Sequence, residues 1–304
     1  AEHVEGMLES RDQMLLAEAM AAEQRASLEI AAEYLHHMTD QPEGRWTSQL
    51  AEMIEIGDAA EAWHWARLTV AAAGRWITSM PMPLVARAQR EIGAAAEGAE
   101  GPTVPEYPGW VAGRAALSTA VADFMLFDNL MIEVFLVQVA PALNERAGGG
   151  RNWAETPGKV YELAGADGIE LQVRDRSDGH METVRHLSEM VGLSTGDLVY
   201  GRLVEVPGEP ARIFAAPPIV IDEVAAQRLG RVAGDEELLS VEPIEVRCAT
   251  LGAAVRSGSR YCRKAAAPED ESASKIRKLG DDRTVLGVAG RAGTRPTSGH
   301  ADNA

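Results

Sequence analysis

Two segments of this chain place a carboxylate and an imidazole three residues apart: Glu33-Tyr34-Leu35-His36 and Glu61-Ala62-Trp63-His64. On a helix, residues at i and i+3 share a face. Carboxylate-bridged di-iron bundles use a repeated Glu-x-x-His, completed by acids from other helices. The further acids here would be Asp123, Asp128 and Glu133. At roughly 100° per residue, steps of five turn about 140°, so these three do not share a helical face. His36 also closes its helix, whereas Glu61 falls in the first turn of a helix two elements later, where capping accounts for it. Solvated charge and capping outweigh a di-metal site. His36 and His64, or the acids at the hairpin tip described next, remain the residues that an enzyme of unrecognised type, with or without a metal, would use.

A second cluster sits in GIELQVRDRSDGHMETVRH, residues 168–186. It reads as a β-hairpin with Asp178-Gly179 as a two-residue turn. In that register Ser177 faces His180 and Asp175 faces Glu182. Leu171 and Val173 share the buried face with Val184 and His186. Asp175 and Glu182 would extend that face past the edge of the core, a mildly repulsive pair. A cation held by Asp175, His180 and Glu182 would relieve it, but a register marker at the end of two strands is the simpler expectation. Motifs for nucleophiles and phosphates are missing: no Gly-x-Ser-x-Gly, no Walker loop, no Gly-x-Gly-x-x-Gly after a strand. Cys262 has basic neighbours, but lies in a tail expected to lack fixed structure and so cannot preorganise a reaction.

Composition narrows the partners. The 304 residues carry a net charge of −17, unevenly spread. Residues 247–304 hold eleven Lys/Arg against six Asp/Glu, which leaves 18 against 40 in residues 1–246. An acidic body repels phosphate backbones, so nucleic acid is expected only through residues 247–304. Two cysteines, Cys248 and Cys262, make no disulfide framework. The start AEHVEGMLES carries no secretory pattern. The apolar stretch 124–140 is interrupted by Asp128, Asn129, Glu133 and Gln138 and falls short of a membrane span. The expectation is a soluble, cytoplasmic protein. The missing initiator Met fits a processed or partial product.

The elements that would position these residues fall into two kinds. Residues 1–147 read as α-helical: DQMLLAEAMAAEQRASLEIAAEYLHHM and TSQLAEMIEI, the latter stopping at Gly57, are dense in helix formers. Another helix starts at Asp58, capped with Glu61, and stops before Met80-Pro81. A last long helix spans about 111–143, and Gly148-Gly149-Gly150 within 148–152 reads as a flexible joint. After it the period becomes two. KVYEL, IELQVRD, METVRH, DLVYGRLVEV and ARIFAAPPIVI predict five short strands, a small barrel or curled sheet, followed by one helix capped by Asp222. The whole is α+β: a helical domain, a β-rich domain over 153–233, and a disordered basic tail over 234–304.

Two resemblances add to this. Gly57-Asp58-Ala59-Ala60-Glu61-Ala62, with Trp46 twelve residues before Asp58, resembles one tetratricopeptide-type hairpin, although Gly74 stands where a proline is expected. The stretch 159–220 is similar to the β-domain of uncharacterised bacterial SEC-C-containing proteins. The likeness is carried by Arg174-Asp175, Gly179, Thr183-Val184-Arg185, Gly196-Asp197-Leu198 and Arg202-Leu203-Val204. The zinc-binding ending of that family needs four soft ligands. Here only Cys248 and Cys262 remain, so no zinc and no other cofactor is expected.

The function these observations suggest is a protein-binding or adaptor module without a catalytic site. An unidentified protein or peptide would sit on the helical hairpins, with Trp46, Trp63 and Trp65 as contact residues where exposed. Trp63 and Trp76 are expected in the helical core. An OB-like nucleic-acid surface is disfavoured, because residues 153–228 hold seven Arg/Lys against thirteen Asp/Glu.

Overall fold

The computed structural model describes residues 2–39, 44–80, 83, 121–150, 152–186 and 193–234. The expected basic tail, with Cys248 and Cys262, lies outside these residues, as do positions 111–120 of the last long helix.

The first helical segment is a hairpin. Helix α1 (Glu2–Gln24) stops at a turn in which Ala26 adopts φ 57°, and α2 (Leu28–His36) returns along it. The Ser27 N–H reaches back to the Ala22 carbonyl at 2.9 Å and satisfies a terminal acceptor. The two helices run antiparallel: Asp12 in the middle of α1 accepts the backbone N–H of Thr39 beyond the end of α2. Ala19, Ala22 and Ala31, all fully buried, let the two backbones approach closely. The sequence offers no Gly or Pro at this break, so the segment reads as one continuous helix.

Helix α3 (Gly44–Ile56) buries Trp46, Leu50 and Met53, the i, i+4, i+7 stripe of an amphipathic helix. It ends at Gly57, whose φ of 56° only glycine adopts at no cost. A 3₁₀ turn (Gly57–Ala59) then delays α4, which starts at Ala62 and runs to Thr78. Pairs Arg67–Glu52, at 3.2 Å, and Arg75–Gln49, at 3.1 Å, tie α4 antiparallel to α3.

The expected last helix is broken where it is described. A turn of five residues, Phe124–Asp128, closes by an i→i+5 bond from Asn129 N–H to the Phe124 carbonyl at 3.1 Å. Leu130 then adopts φ 57°, a short α5 (Met131–Val134) leads into a second wide turn (Phe135–Val139), and the chain bends at Ala140 before α6 (Pro141–Arg146). Pro141 explains the last break: it disfavours helical backbone at the residue before it and suits the first turn of a new helix.

Seven strands follow among the described residues: β1 (Lys159–Asp167), β2 (Glu170–Asp175), β3 (Met181–Arg185), β4 (Leu198–Gly201), β5 (Leu203–Val204), β6 (Ile213–Phe214) and β7 (Ile219–Ile221). Five of them form an antiparallel sheet in the order β3-β2-β1-β4-β7, and β5 pairs with β6 as a separate ribbon. The sheet is open rather than closed into a barrel. Alternation along β1 sends Tyr161 and Leu163 to one face, with Leu171, Val173, Val184, Leu203 and Phe214. Val160 goes to the other face, where α7 (Glu223–Gly234) covers it with Ala225, Ala226 and Leu229.

The helical core does not end at the glycines. It continues into Trp153, Val204, Val206, Ile213 and Ala215. Gly148, Gly149 and Gly150 form a tight cap on α6: Gly149 N–H donates to the Asn144 carbonyl and Gly150 N–H to Asn144 Oδ1, both at 2.9 Å. A loose joint is therefore not what these residues make. No described helix is long and apolar enough to cross a membrane.

Candidate functional site

The β2–β3 hairpin differs in register from the expected one. Its pairs are Leu171↔Val184, Val173↔Glu182 and Arg174↔Met181, two residues away from the Asp175–Glu182 pairing. The loop is four residues, Arg176 to Gly179, closed by Asp175 N–H to the His180 carbonyl at 2.9 Å. Two aspartates dictate it. Asp175 Oδ1 accepts the N–H of Ser177, and Asp178 Oδ1 accepts the N–H of His180, both at 2.8 Å. Each mimics a backbone turn. A slip of two preserves the faces, so Leu171 and Val173 still point into the core.

The slip also changes what Asp175 does. It is buried, opposite Tyr161 of β1, and its Oδ2 lies 2.6 Å from Lys159 Nζ. Burial by itself pushes its carboxyl up, but the bonds from Lys159 and Ser177, with the charge of Lys159, outweigh that and hold it below the ordinary carboxylate value. Glu182 is engaged by Arg212 at 3.2 Å, and His180 stands in solvent with Nε2 3.9 Å from Glu182. Among the described residues, no three His, Cys, Asp or Glu side chains come together as metal ligands.

These residues wall a cavity of about 800 Å³, within the range of small-molecule sites. Its sides are the β1 start, the Gly149–Pro157 segment and the loop 205–212. Trp153 forms part of the wall, with its Nε1–H donating to the Glu205 carbonyl at 2.8 Å. Tyr161, a residue only 3% exposed, also lines the cavity, and its hydroxyl has no hydrogen-bond partner among the described residues. Burial, then the nearby Asp175 and Glu182 charges, push its pKa well up, so it stays neutral. The sequence reading did not single out Tyr161: the strand it faces is set by the sheet topology, which puts it opposite Asp175.

The tryptophans expected as contacts are placed otherwise. Trp46 is buried, with its Nε1–H donating to Glu23 at 3.0 Å. Glu23, itself buried, also accepts from Arg75, at 3.2 Å for Nε, and burial pushes its carboxyl up. Trp63 is 1% exposed and donates to Glu61 Oε2 at 2.7 Å. Trp65 keeps a partly open edge, with the Arg146 guanidinium 5.2 Å from its ring. Packing of large aromatics at the hairpin interior removes Trp46 and Trp63 as surface contacts.

The Glu-x-x-His segments are not brought together as a site. His36 is exposed at the end of α2. Glu61, rather than Asp58, is the N-cap of α4, and His64 Nδ1 accepts its backbone N–H at 3.1 Å. Burial, more than the arginines Arg67 and Arg185 nearby, holds His64 below its ordinary pKa, although Glu61 opposes this. Arg185 of β3 approaches the same helix start, with Nη1 3.3 Å from Glu61 and 2.7 Å from Glu209.

One constellation was not anticipated. Arg202, 4% exposed, donates from Nε to both oxygens of Asp123 at 3.0 Å, from Nη2 to Asp128 at 2.6 Å and from Nη1 to the Thr156 carbonyl at 2.8 Å. The i→i+5 turn brings Asp123 and Asp128 to one side, where regular helix geometry separates them. Burial disfavours the Arg202 charge, but Asp123 and Asp128 more than restore it and raise its pKa. Comparison with protein-family models, curated proteins and solved structures finds no match.

Proposed function

We propose that this chain is a binding module whose contact site is the cavity between β1 and the loop 205–212, receiving a segment of a protein or peptide partner. The observation that carries the proposal is Tyr161, a residue 3% exposed that lines an open polar cavity and whose hydroxyl has no hydrogen-bond partner among the described residues. A phenol hydroxyl both donates and accepts, and one that opens on a cavity takes its partner from whatever fills that cavity. The helical hairpins, with Trp46 and Trp63 inside them, serve as the scaffold.

The likeness to SEC-C-containing proteins fits this as a likeness of scaffold. Asp175 orders the hairpin loop, Asp197 accepts the Ser194 N–H at 2.8 Å, and Arg202 ties the strands to the helical part. A random peptide library screened by NMR tests the proposal. Hits are expected to shift the Trp153 indole and the amides flanking Tyr161. Hits that map to the helices, or none at all, overturn it.

A further inference from the structure

We propose that the group this cavity takes is an organic cation, the guanidinium or ammonium of a partner's Arg or Lys side chain. The inference rests on the binding proposal above and names the chemistry of its ligand. Two independent observations carry it.

The first is the sign of the wall. Among the described residues, five carboxylates line the cavity, Glu155, Asp175, Glu182, Glu205 and Glu209, against two lining cations, Lys159 and Arg212, with Arg185 reaching Glu209 at 2.7 Å from outside the lining. Both lining cations are already engaged by the wall itself. Lys159 Nζ is 2.6 Å from Asp175, and Arg212 reaches Glu182 at 3.2 Å and Glu205 at 2.8 Å. Glu155 has no ion-pair partner among the described residues, and Glu205 keeps 70% of its side chain exposed. An anion entering here meets uncompensated negative charge, and a cation is drawn in.

The second is an acceptor in the lining. Guanidinium and ammonium groups are donors only, five N–H and three respectively, so they need a pocket of acceptors. Tyr161 supplies such an acceptor: the residue is 3% exposed and lines the cavity, and its hydroxyl has no partner among the described residues. Carboxylates and a phenol oxygen in one lining give a cation both charge and hydrogen bonds. A carboxylate or phosphate ligand would find one hydroxyl donor there and no free cation among the described wall residues.

The test uses the full chain and blocked tripeptides Gly-X-Gly with X as Arg, Lys, citrulline or Glu, titrated by calorimetry. Citrulline keeps the shape of arginine without the charge. Arg and Lys peptides are expected to bind, with citrulline and Glu at least about tenfold weaker, the scale of one lost charged hydrogen bond. Tyr161→Phe, which deletes one oxygen, is expected to weaken the Arg peptide about tenfold. Glu155→Gln, at an exposed position, gives the electrostatic arm without a folding risk, with a smaller loss that fades in salt. Free spermidine binding more tightly than the peptides would assign the same cation chemistry to a small molecule and overturn the side-chain source. Citrulline or Glu peptides that match Arg, or an Arg affinity unchanged in both variants, overturn the cation. Because the random library is blind to charge, library hits at Trp153 with no cation preference sink only this inference. A silent library sinks the binding proposal itself.

Discussion

Arg202 Nε lies 3.0 Å from both carboxylate oxygens of Asp123, across the boundary between the helical half and the sheet. The arginine follows β4, and the aspartate precedes the wide turn at Phe124–Asp128. With Asp128 at 2.6 Å and the Phe127 ring 5.0 Å from the guanidinium, the cation is enclosed by the segment it holds. Two halves that read as separate domains in sequence therefore share a buried ionic lock as well as a core.

Removing one side of a buried pair leaves the other charge uncompensated, typically at a cost of about 3–5 kcal/mol. Arg202→Ala is expected to lose that much in urea unfolding at neutral pH. Replacing Arg202, Asp123 and Asp128 together with Met, Leu and Leu should lose less than the single change, since no charge is then stranded. A single variant within about 1 kcal/mol of the parent, the range of an exposed ion pair, would sink the lock.

Asp175 should impose a pH dependence of definite sign. Its folded pKa is held below the unfolded value, so its stabilisation is full above the ordinary carboxylate range and is lost as pH falls through the folded pKa. Asp175→Asn is expected to be less stable than the parent by about 1–2 kcal/mol at pH 7, allowing for a partly exposed Lys159. The gap should close in strong acid. Denaturation curves at neutral pH and below the carboxylate range check this, and a gap that does not change with pH counts against the Lys159–Asp175 bond.

How much of this was legible in the sequence depends on how local the cause is. The change of period after Gly150 and the stop at Gly57 act within a few residues, so the α+β order and the α3 end could be read. Leu171, Val173 and Val184 were also placed on the right face, because alternation survives a slip of two. The loop length was not legible, since it was decided by two aspartate side chains competing for backbone N–H groups. Asp123 and Asp128 were judged to point apart on helix geometry, and only a turn with a different repeat unites them. Trp46 was read as a contact residue because burial is set by what packs on a residue from far along the chain, whereas Trp63 was expected in the helical core and lies there.

His64 offers a second pH test of opposite chemistry. As a neutral acceptor of the Glu61 N–H, it favours the folded state only while unprotonated. Its pKa is lowered on folding, so the stabilisation is present above the ordinary histidine value, about 6.5, and is lost as pH falls through the folded value. NMR titration should place the His64 midpoint below the ordinary histidine value. A midpoint at or above the ordinary value would show that the cap does not bond through Nδ1. Glutamine at 64, which also accepts, should keep the α4 start while removing this step.

The glycine run after α6 separates two physical causes in adjacent residues. A Cβ on Gly150 would meet the Trp153 ring at 2.3, 2.6 and 2.7 Å, although the Gly150 backbone is not in the left-handed region. A Cβ on Gly149 meets nothing within 4 Å, but its φ of 79° strains any other residue. Gly149→Ala should therefore lose about 1–3 kcal/mol by backbone strain while leaving the cavity wall in place. Gly150→Ala should lose a similar amount by overpacking, and it must also move the indole, because the added carbon overlaps the Trp153 ring and the adjoining cavity gives the ring room to shift. The discriminating readout is thus the Trp153 indole resonance, displaced in Gly150→Ala and unchanged in Gly149→Ala. If both variants shift it equally, the glycines act through the α6 cap alone, and the close packing of Gly150 on Trp153 does not shape the cavity.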